Sequence, residues 1–120
     1  MKMTYLSDMK YNKYRNIKTE IDGIRFDSKK EANRYAELRM MEIAGTIKDL
    51  ELQPKFLICK GVKWNGKKQR DRFYISDFRY KDLEINLVVV EDVKGHKTDI
   101  YKLKRSLFLS QYPEYHFIET

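Results

Sequence analysis

Two stretches of the chain place charged residues where a folded strand would normally avoid them: Asp77 within Tyr74-Ile75-Ser76-Asp77-Phe78, and the run Val88-Val89-Val90-Glu91-Asp92-Val93-Lys94-Gly95. The apolar start of the second run is typical of a central strand covered on both faces, yet it ends in three charges. With the two-residue period of a strand, Val88, Val90, Asp92 and Lys94 face one way, and Val89, Glu91 and Val93 the other. Asp92 and Lys94 are then neighbours and Glu91 points away. A carboxylate and an ammonium so placed can hold a divalent cation and position or activate an attacking water. A surface ion pair at a strand end is the plainer alternative, and such pairs contribute little. Asp77 adds weight to the first reading, because aspartate disfavours strands and its unpaired charge is costly to bury. If its strand lies beside Leu87 to Lys94, Asp77 and Asp92 converge, and two carboxylates at close range repel unless a cation or a proton intervenes. Magnesium, which takes oxygen ligands and retains water, fits that pair. A solvent-facing or turn-capping Asp77 would need no cation, but one metal site explains both anomalies.

The elements that must position these residues are legible in outline. Asp22-Gly23 supplies the positive φ of a tight turn between Thr19–Ile21 and Ile24–Phe26. Ser28-Lys29-Lys30-Glu31 has the form of a capping box opening a helix over roughly Lys29 to Ala44, and Gly45 suits its left-handed end. At about 100° per residue, Ala32, Tyr35, Ala36, Leu38, Met40 and Ile43 form a broad apolar arc, with Glu31 at its margin and Arg39 unexplained inside it. Lys55 to Val62 and Arg72 to Tyr80, joined through Asn65-Gly66, should pair antiparallel, followed by the strand Leu87 to Lys94. Thr98 or Asp99 can cap a second helix from about Ile100 to Ser110, with Ile100, Leu103 and Leu107 as its apolar stripe, before Pro113 and a last strand at Tyr115–Glu119. Helix, three strands, helix and strand, after a short hairpin, predict an α/β domain around a mixed sheet. Residues 1–17 read as a basic, mobile arm and 18–120 as one domain.

Composition narrows the function classes. The 120 residues carry 25 Lys and Arg against 18 Asp and Glu, a net charge of +7 that favours a polyanionic partner such as nucleic acid. Basic residues crowd Lys2–Lys18, Lys60–Arg72 and Lys94–Arg105, and Tyr5, Tyr11, Tyr14, Trp64 and Tyr101 lie among them as rings able to stack on bases. No apolar run is long enough to span a membrane and no secretory leader is apparent, so a cytosolic location is expected. Cys59 is the only cysteine, which excludes an internal disulfide and a cysteine-rich zinc cage, and it reads as a small buried hydrophobe. His96 and His116 lack the partners and spacing of a zinc or nucleophilic site, and no glycine loop suits a nucleoside triphosphate.

Asp77, a turn, and Asp92-Val93-Lys94 resemble the signature of the PD-(D/E)xK, or restriction-endonuclease-like, nuclease superfamily, with Ser76 where the motif's name has proline. The phrases Phe26-Asp27-Ser28-Lys29-Lys30-Glu31-Ala32, Leu52-Gln53-Pro54 and Val90-Glu91-Asp92-Val93-Lys94-Gly95 are similar to those of short phage-encoded members, and the resemblance runs from about Asp22 to Phe117. It implies a restriction-endonuclease-like core, phage or prophage origin within a bacterial host's cytoplasm, and Mg2+- or Mn2+-dependent hydrolysis of DNA that leaves 5′-phosphate ends, acting in recombination, repair or processing. Under it Asp77 and Asp92 bind the metal, the Val93 carbonyl is a further ligand, Lys94 orients water, and Glu31 of the first helix assists. Glu31 is equally well placed to complete the Ser28 cap. Gln53 could contact a phosphate or bond its own loop, with the loop slightly favoured. His96 lies close enough to the site to touch substrate, and Lys102 and Arg105 suit DNA-backbone contacts or a solvated helix face. A homodimer would suit cutting of both strands, although no residue pattern demands one. A DNA-binding or regulatory protein without catalysis is the competing expectation.

Overall fold

The computed structural model of the protein describes residues 18–120, so the basic arm lies outside the described residues. The chain divides into two compact units, one up to Met40 and one from Met41 onward, the division falling inside the first helix.

In the N-terminal unit, β1 (Thr19–Ile21) and β2 (Ile24–Phe26) form the expected antiparallel hairpin. Asp22 and Gly23 turn it at φ 55° and 75°, as a tight two-residue connection requires. Helix α1 (Lys29–Ala44) begins where Ser28 Oγ accepts the Glu31 amide at 3.1 Å. Ala32, Tyr35 and Leu38 of its apolar arc are buried, and Tyr35 packs its ring against Phe26 with centroids 5.0 Å apart. The Tyr35 hydroxyl donates to Asp22 at 3.0 Å. Burial, then Asp22, raises its pKa, and Arg39 opposes that shift by hydrogen bond and charge. Arg39 therefore has a polar task on an apolar arc. Met40 is 69% exposed, so the arc is narrower than its spacing suggests; Ile43, of the second unit, is exposed too.

The C-terminal unit opens as α1 ends, in a motif where the Gly45 amide reaches Glu42 O and the Thr46 amide reaches Met41 O, with Gly45 at φ 85°. A four-stranded mixed sheet follows, in the order β10-β9-β8-β3, from β3 (Ile47–Leu52), β8 (Phe78–Asp82), β9 (Leu87–Asp92) and β10 (His116–Glu119). Neighbours are antiparallel except β9 and β10, which run parallel and are joined through helix α2 (Asp99–Gln111). A separate antiparallel pair joins β4 (Lys55–Cys59) to β7 (Arg72–Ile75), and a two-residue ribbon, β5 (Lys63–Trp64) with β6 (Lys67–Lys68), connects them through Asn65-Gly66. The mixed α/β class holds, as do the β4–β7 pairing and the central place of β9.

The expected strand order requires two corrections. Residues 47–52 form a strand, β3, that the pattern did not reveal. Arg72 to Tyr80 is not one strand: it leaves the β4 pairing after Ile75 and resumes beside β3 and β9 at Phe78. The chain from β3 to β4 breaks at the same place. The Gln53 amide donates to Asp77 O at 2.9 Å and the Ser76 amide to Pro54 O at 3.2 Å, so the two breaks are bonded across one bend.

The core beneath α2 is a cluster of Phe56, Ile58, Tyr74, Val90, Tyr101 and Phe108, with Tyr112, Tyr115 and Phe117 against it. Phe108 meets Phe56 edge-on at 4.8 Å and Tyr74 at 5.1 Å. Gln111 Nε2 and Tyr112 Oη donate to Ile58 O and Leu57 O, fastening the helix end to β4. The buried stripe is therefore Tyr101 and Phe108, with Leu107 of the expected stripe partly buried against the cluster and Ile100 and Leu103 64% and 59% exposed. Cys59 is also exposed rather than buried, because the two-residue alternation that turns Phe56 and Ile58 inward turns Cys59 outward.

Candidate metal centre

Strand alternation at the end of β9 sorts its charges as the sequence implies. Glu91 is fully buried and accepts from Tyr80 Oη at 2.7 Å and Thr120 Oγ1 at 2.9 Å. Asp92, 1% exposed, accepts a short hydrogen bond from Tyr74 Oη of β7. Lys94 follows two residues later. Its backbone is held by Thr120, whose carbonyl accepts the Lys94 amide at 3.0 Å and whose amide donates to Asp92 O at 2.9 Å. Lys94 Nζ stands 3.5 Å from Asp92 Oδ1 and 4.7 Å from the centre of the Tyr101 ring.

Asp77 arrives from the bend between β7 and β8. Its amide donates to Glu91 O at 3.2 Å, and its Oδ2 accepts the Val93 amide at 2.7 Å. The paired breaks at Gln53-Pro54 and Ser76-Asp77 free this aspartate from the sheet ladders and turn its carboxylate toward the end of β9. The structure thus brings Asp77, Asp92, the Val93 peptide group and Lys94 together.

The electrostatics of Asp92 are set first by burial, which raises its carboxyl pKa, and next by hydrogen bonding to Asp77, which raises it further. Tyr74 lowers it, the Asp77 charge raises it, and Lys94 lowers it, leaving it near about 7. Burial, then the Asp92 charge, also pushes the Tyr74 hydroxyl well above the usual phenol range. Asp92 Oδ1 is buried without a hydrogen-bond donor among the described residues. The Lys94 ammonium at 3.5 Å offsets part of the cost of burying that oxygen, and a cation between the two carboxylates would relieve the rest together with their repulsion. Among the described residues no three His, Cys, Asp or Glu side chains gather at one point. Two carboxylates suit magnesium, which commonly keeps several waters and takes its remaining ligands from substrate phosphates.

The other sequence candidates are placed less centrally. Glu31 lies in the first turn of α1, in the N-terminal unit, where its amide completes the Ser28 cap. Gln53 is exposed at φ 52° and touches Asp77 through its backbone amide. His96 and Lys102 are exposed beyond Gly95 and on α2. Arg105 is partly exposed on α2, where it bonds Glu119 at 2.7 Å and covers the Tyr101 ring at 5.5 Å. Tyr101 is correspondingly buried, donates to Glu119 at 2.5 Å, and is not a ring offered to bases. Sequence reasoning missed Tyr74 and Tyr101 as neighbours of the site. Tyr74 shares the strand face of Ser76, and Tyr101 stands one turn into α2 behind the Thr98 cap, whose Oγ1 accepts its amide at 3.1 Å.

The chain matches, over residues 11–119, a family described as a protein of unknown function, DUF1064, and belongs to that family. No curated protein and no solved structure matches it. Among the described residues no helix is long and apolar enough to cross a membrane.

Proposed function

We propose that the protein is a metal-dependent nuclease that hydrolyses phosphodiester bonds in DNA, with a restriction-endonuclease-like core and a Mg2+ or Mn2+ centre on Asp77 and Asp92. The observation that carries this reading is the convergence of two carboxylates at the end of a buried strand, one with an oxygen that accepts no hydrogen bond and faces the Lys94 ammonium at 3.5 Å. When bound, the cation would neutralise a phosphate and stabilise the charge of the leaving oxygen. Asp77, fixed by the Val93 amide, and Asp92, fixed by Tyr74, would hold it with the Val93 carbonyl nearby. Lys94 is 29% exposed along its side chain, so its ammonium, which stands over the Tyr101 ring, can also meet solvent and a phosphate. Its compact charge orients the attacking water and opposes the negative charge that develops on the phosphoryl oxygens. Exposed Lys102 and His96 supply contacts to DNA. The sequence resemblance and the +7 net charge support DNA as the partner.

A second reading, a DNA-binding protein without catalysis, draws on Asp92 itself: a carboxyl raised to about 7 can hold a proton and be satisfied as a neutral buried acid. Titration calorimetry with Mn2+ and Mg2+ separates the two. The nuclease reading expects binding that Asp77→Asn and Asp92→Asn each weaken; equal heats for the wild-type chain and both variants would favour the neutral acid.

A further inference from the structure

The connection between β4 and β7 is built to be held at its root and offered at its tip. Gly61 approaches the backbone of Gln69 and Arg70 so closely that a Cβ there would fall 1.9 Å from Gln69 O. Its amide donates to Asp71 Oδ1 at 2.7 Å, the Gln69 amide donates to Val62 O at 2.8 Å, and Lys60 pairs with Asp71 at 3.8 Å. The Gly61 amide holds the Asp71 carboxyl below the usual carboxylate range. Beyond this root every residue of β5 and β6 is exposed, and Asn65 and Gly66 close the turn at φ 50° and 77°.

The chemistry of the tip is one-sided. Lys60, Lys63, Lys67, Lys68 and Arg70 fall within eleven residues that contain no acid. Among the described residues no carboxylate lies within ion-pair distance of Lys63, Lys67, Lys68 or Arg70. Lys63 sits directly opposite Lys68 across the ribbon, and like charges so paired destabilise it unless an anion intervenes. Trp64, the only tryptophan, sits opposite Lys67 and is 69% exposed. An isolated apolar side chain on a surface needs no explanation, but a large flat ring among unpaired cations has the composition of a base-stacking platform flanked by phosphate contacts.

We propose that the β5–β6 ribbon engages single-stranded DNA, with Trp64 stacked on an unpaired base and Lys63, Lys67, Lys68 and Arg70 on the flanking phosphates. Stacking requires an uncovered base face, which a duplex interior does not present. The inference deepens the nuclease reading and rests on it only in making this strand part of the substrate: the protein would then prefer DNA with an unpaired stretch. The β4–β7 pair, itself roughly 15 Å long at about 3.3 Å per residue, lies along the chain between the ribbon and the bend at Asp77, so that stretch would lie several nucleotides from the cut.

The sole tryptophan makes the test direct. The full chain in EDTA is titrated with oligothymidylate and with a blunt duplex of equal length, and its emission is excited where tyrosine does not absorb. Quenching by the single strand well beyond that by the duplex is expected. In anisotropy with labelled oligothymidylate, Trp64→Ala should lose about tenfold or more in affinity and Trp64→Phe less, since a Phe ring still stacks. Single-strand binding without a change in emission, equal quenching by the duplex, full affinity in Trp64→Ala, or a response to anionic vesicles in place of DNA would each overturn the proposal. Cleavage assayed separately with Mn2+ keeps the two readings apart: quenching without cleavage removes the nuclease and leaves the ribbon, and cleavage without quenching does the reverse.

Discussion

Asp92 and Glu91 are adjacent, buried and acidic, yet they differ in what surrounds them. Glu91 has a hydroxyl donor on each oxygen, whereas Asp92 has Tyr74 on one oxygen and no donor on the other. Glu91→Gln should therefore lower stability, by about 1–3 kcal/mol for a disturbed buried hydrogen-bond pair, without touching the chemistry. Urea unfolding beside a cleavage assay would show the separation. For Asp92 the sign of the pH dependence follows from a folded pKa near about 7 against an unfolded value of about 3.9. Stability due to the protonated form is fully present below about pH 4 and is lost as pH rises through about 7. In EDTA the thermal midpoint should fall between about pH 5 and pH 8, Asp92→Asn should flatten that fall, and Mg2+ should raise the midpoint more at the higher pH. An identical slope in Asp92→Asn would place the titration elsewhere.

Among the elements, those with strong local signals were legible in the sequence: the Asp22-Gly23 hairpin, α1 with its Ser28 cap and Gly45 end, and β9 with its alternating charges. The alternation that put Asp92 beside Lys94 and turned Glu91 away is the register observed. What was not legible came from tertiary context. β3 escaped notice because it is an edge strand with a register shift between Lys48 and Glu51 and Asp49 at φ 58°, which destroys its two-residue period. The break at Ser76-Asp77 has no glycine, and only its bonding to Gln53-Pro54 defines it. In α2 the aliphatic spacing of Ile100 and Leu103 misled, because the buried face belongs to the aromatic residues Tyr101 and Phe108. Leu103→Ala should accordingly change stability little, whereas Phe108→Ala should cost about 3–5 kcal/mol, as large-to-small changes in a packed core do. Denaturant midpoints would decide it, and the reverse order would restore the aliphatic stripe as the core face.

At the scale of the whole molecule, the C-terminal unit combines three features within one mixed sheet and its attached ribbon: paired carboxylates, a neighbouring lysine and a basic surface. The charge excess of +7 would favour a polyanion at the protein's surface but perform no chemistry, so on the proposed reading binding and cleavage should separate by mutation. The most direct measurement is single-turnover cleavage of saturating plasmid, branched and single-stranded DNA with Mg2+ or Mn2+, comparing the wild-type chain with Asp92→Ala and Lys94→Ala. The account predicts metal-dependent cleavage by the wild type. Asp92→Ala should abolish it, and Lys94→Ala should lower it about 100-fold or more while DNA affinity is retained, as when a transition-state contact is removed. Undiminished cleavage by folded Asp92→Ala or Lys94→Ala protein, or no cleavage of any of these substrates by the wild type with either metal, would contradict it.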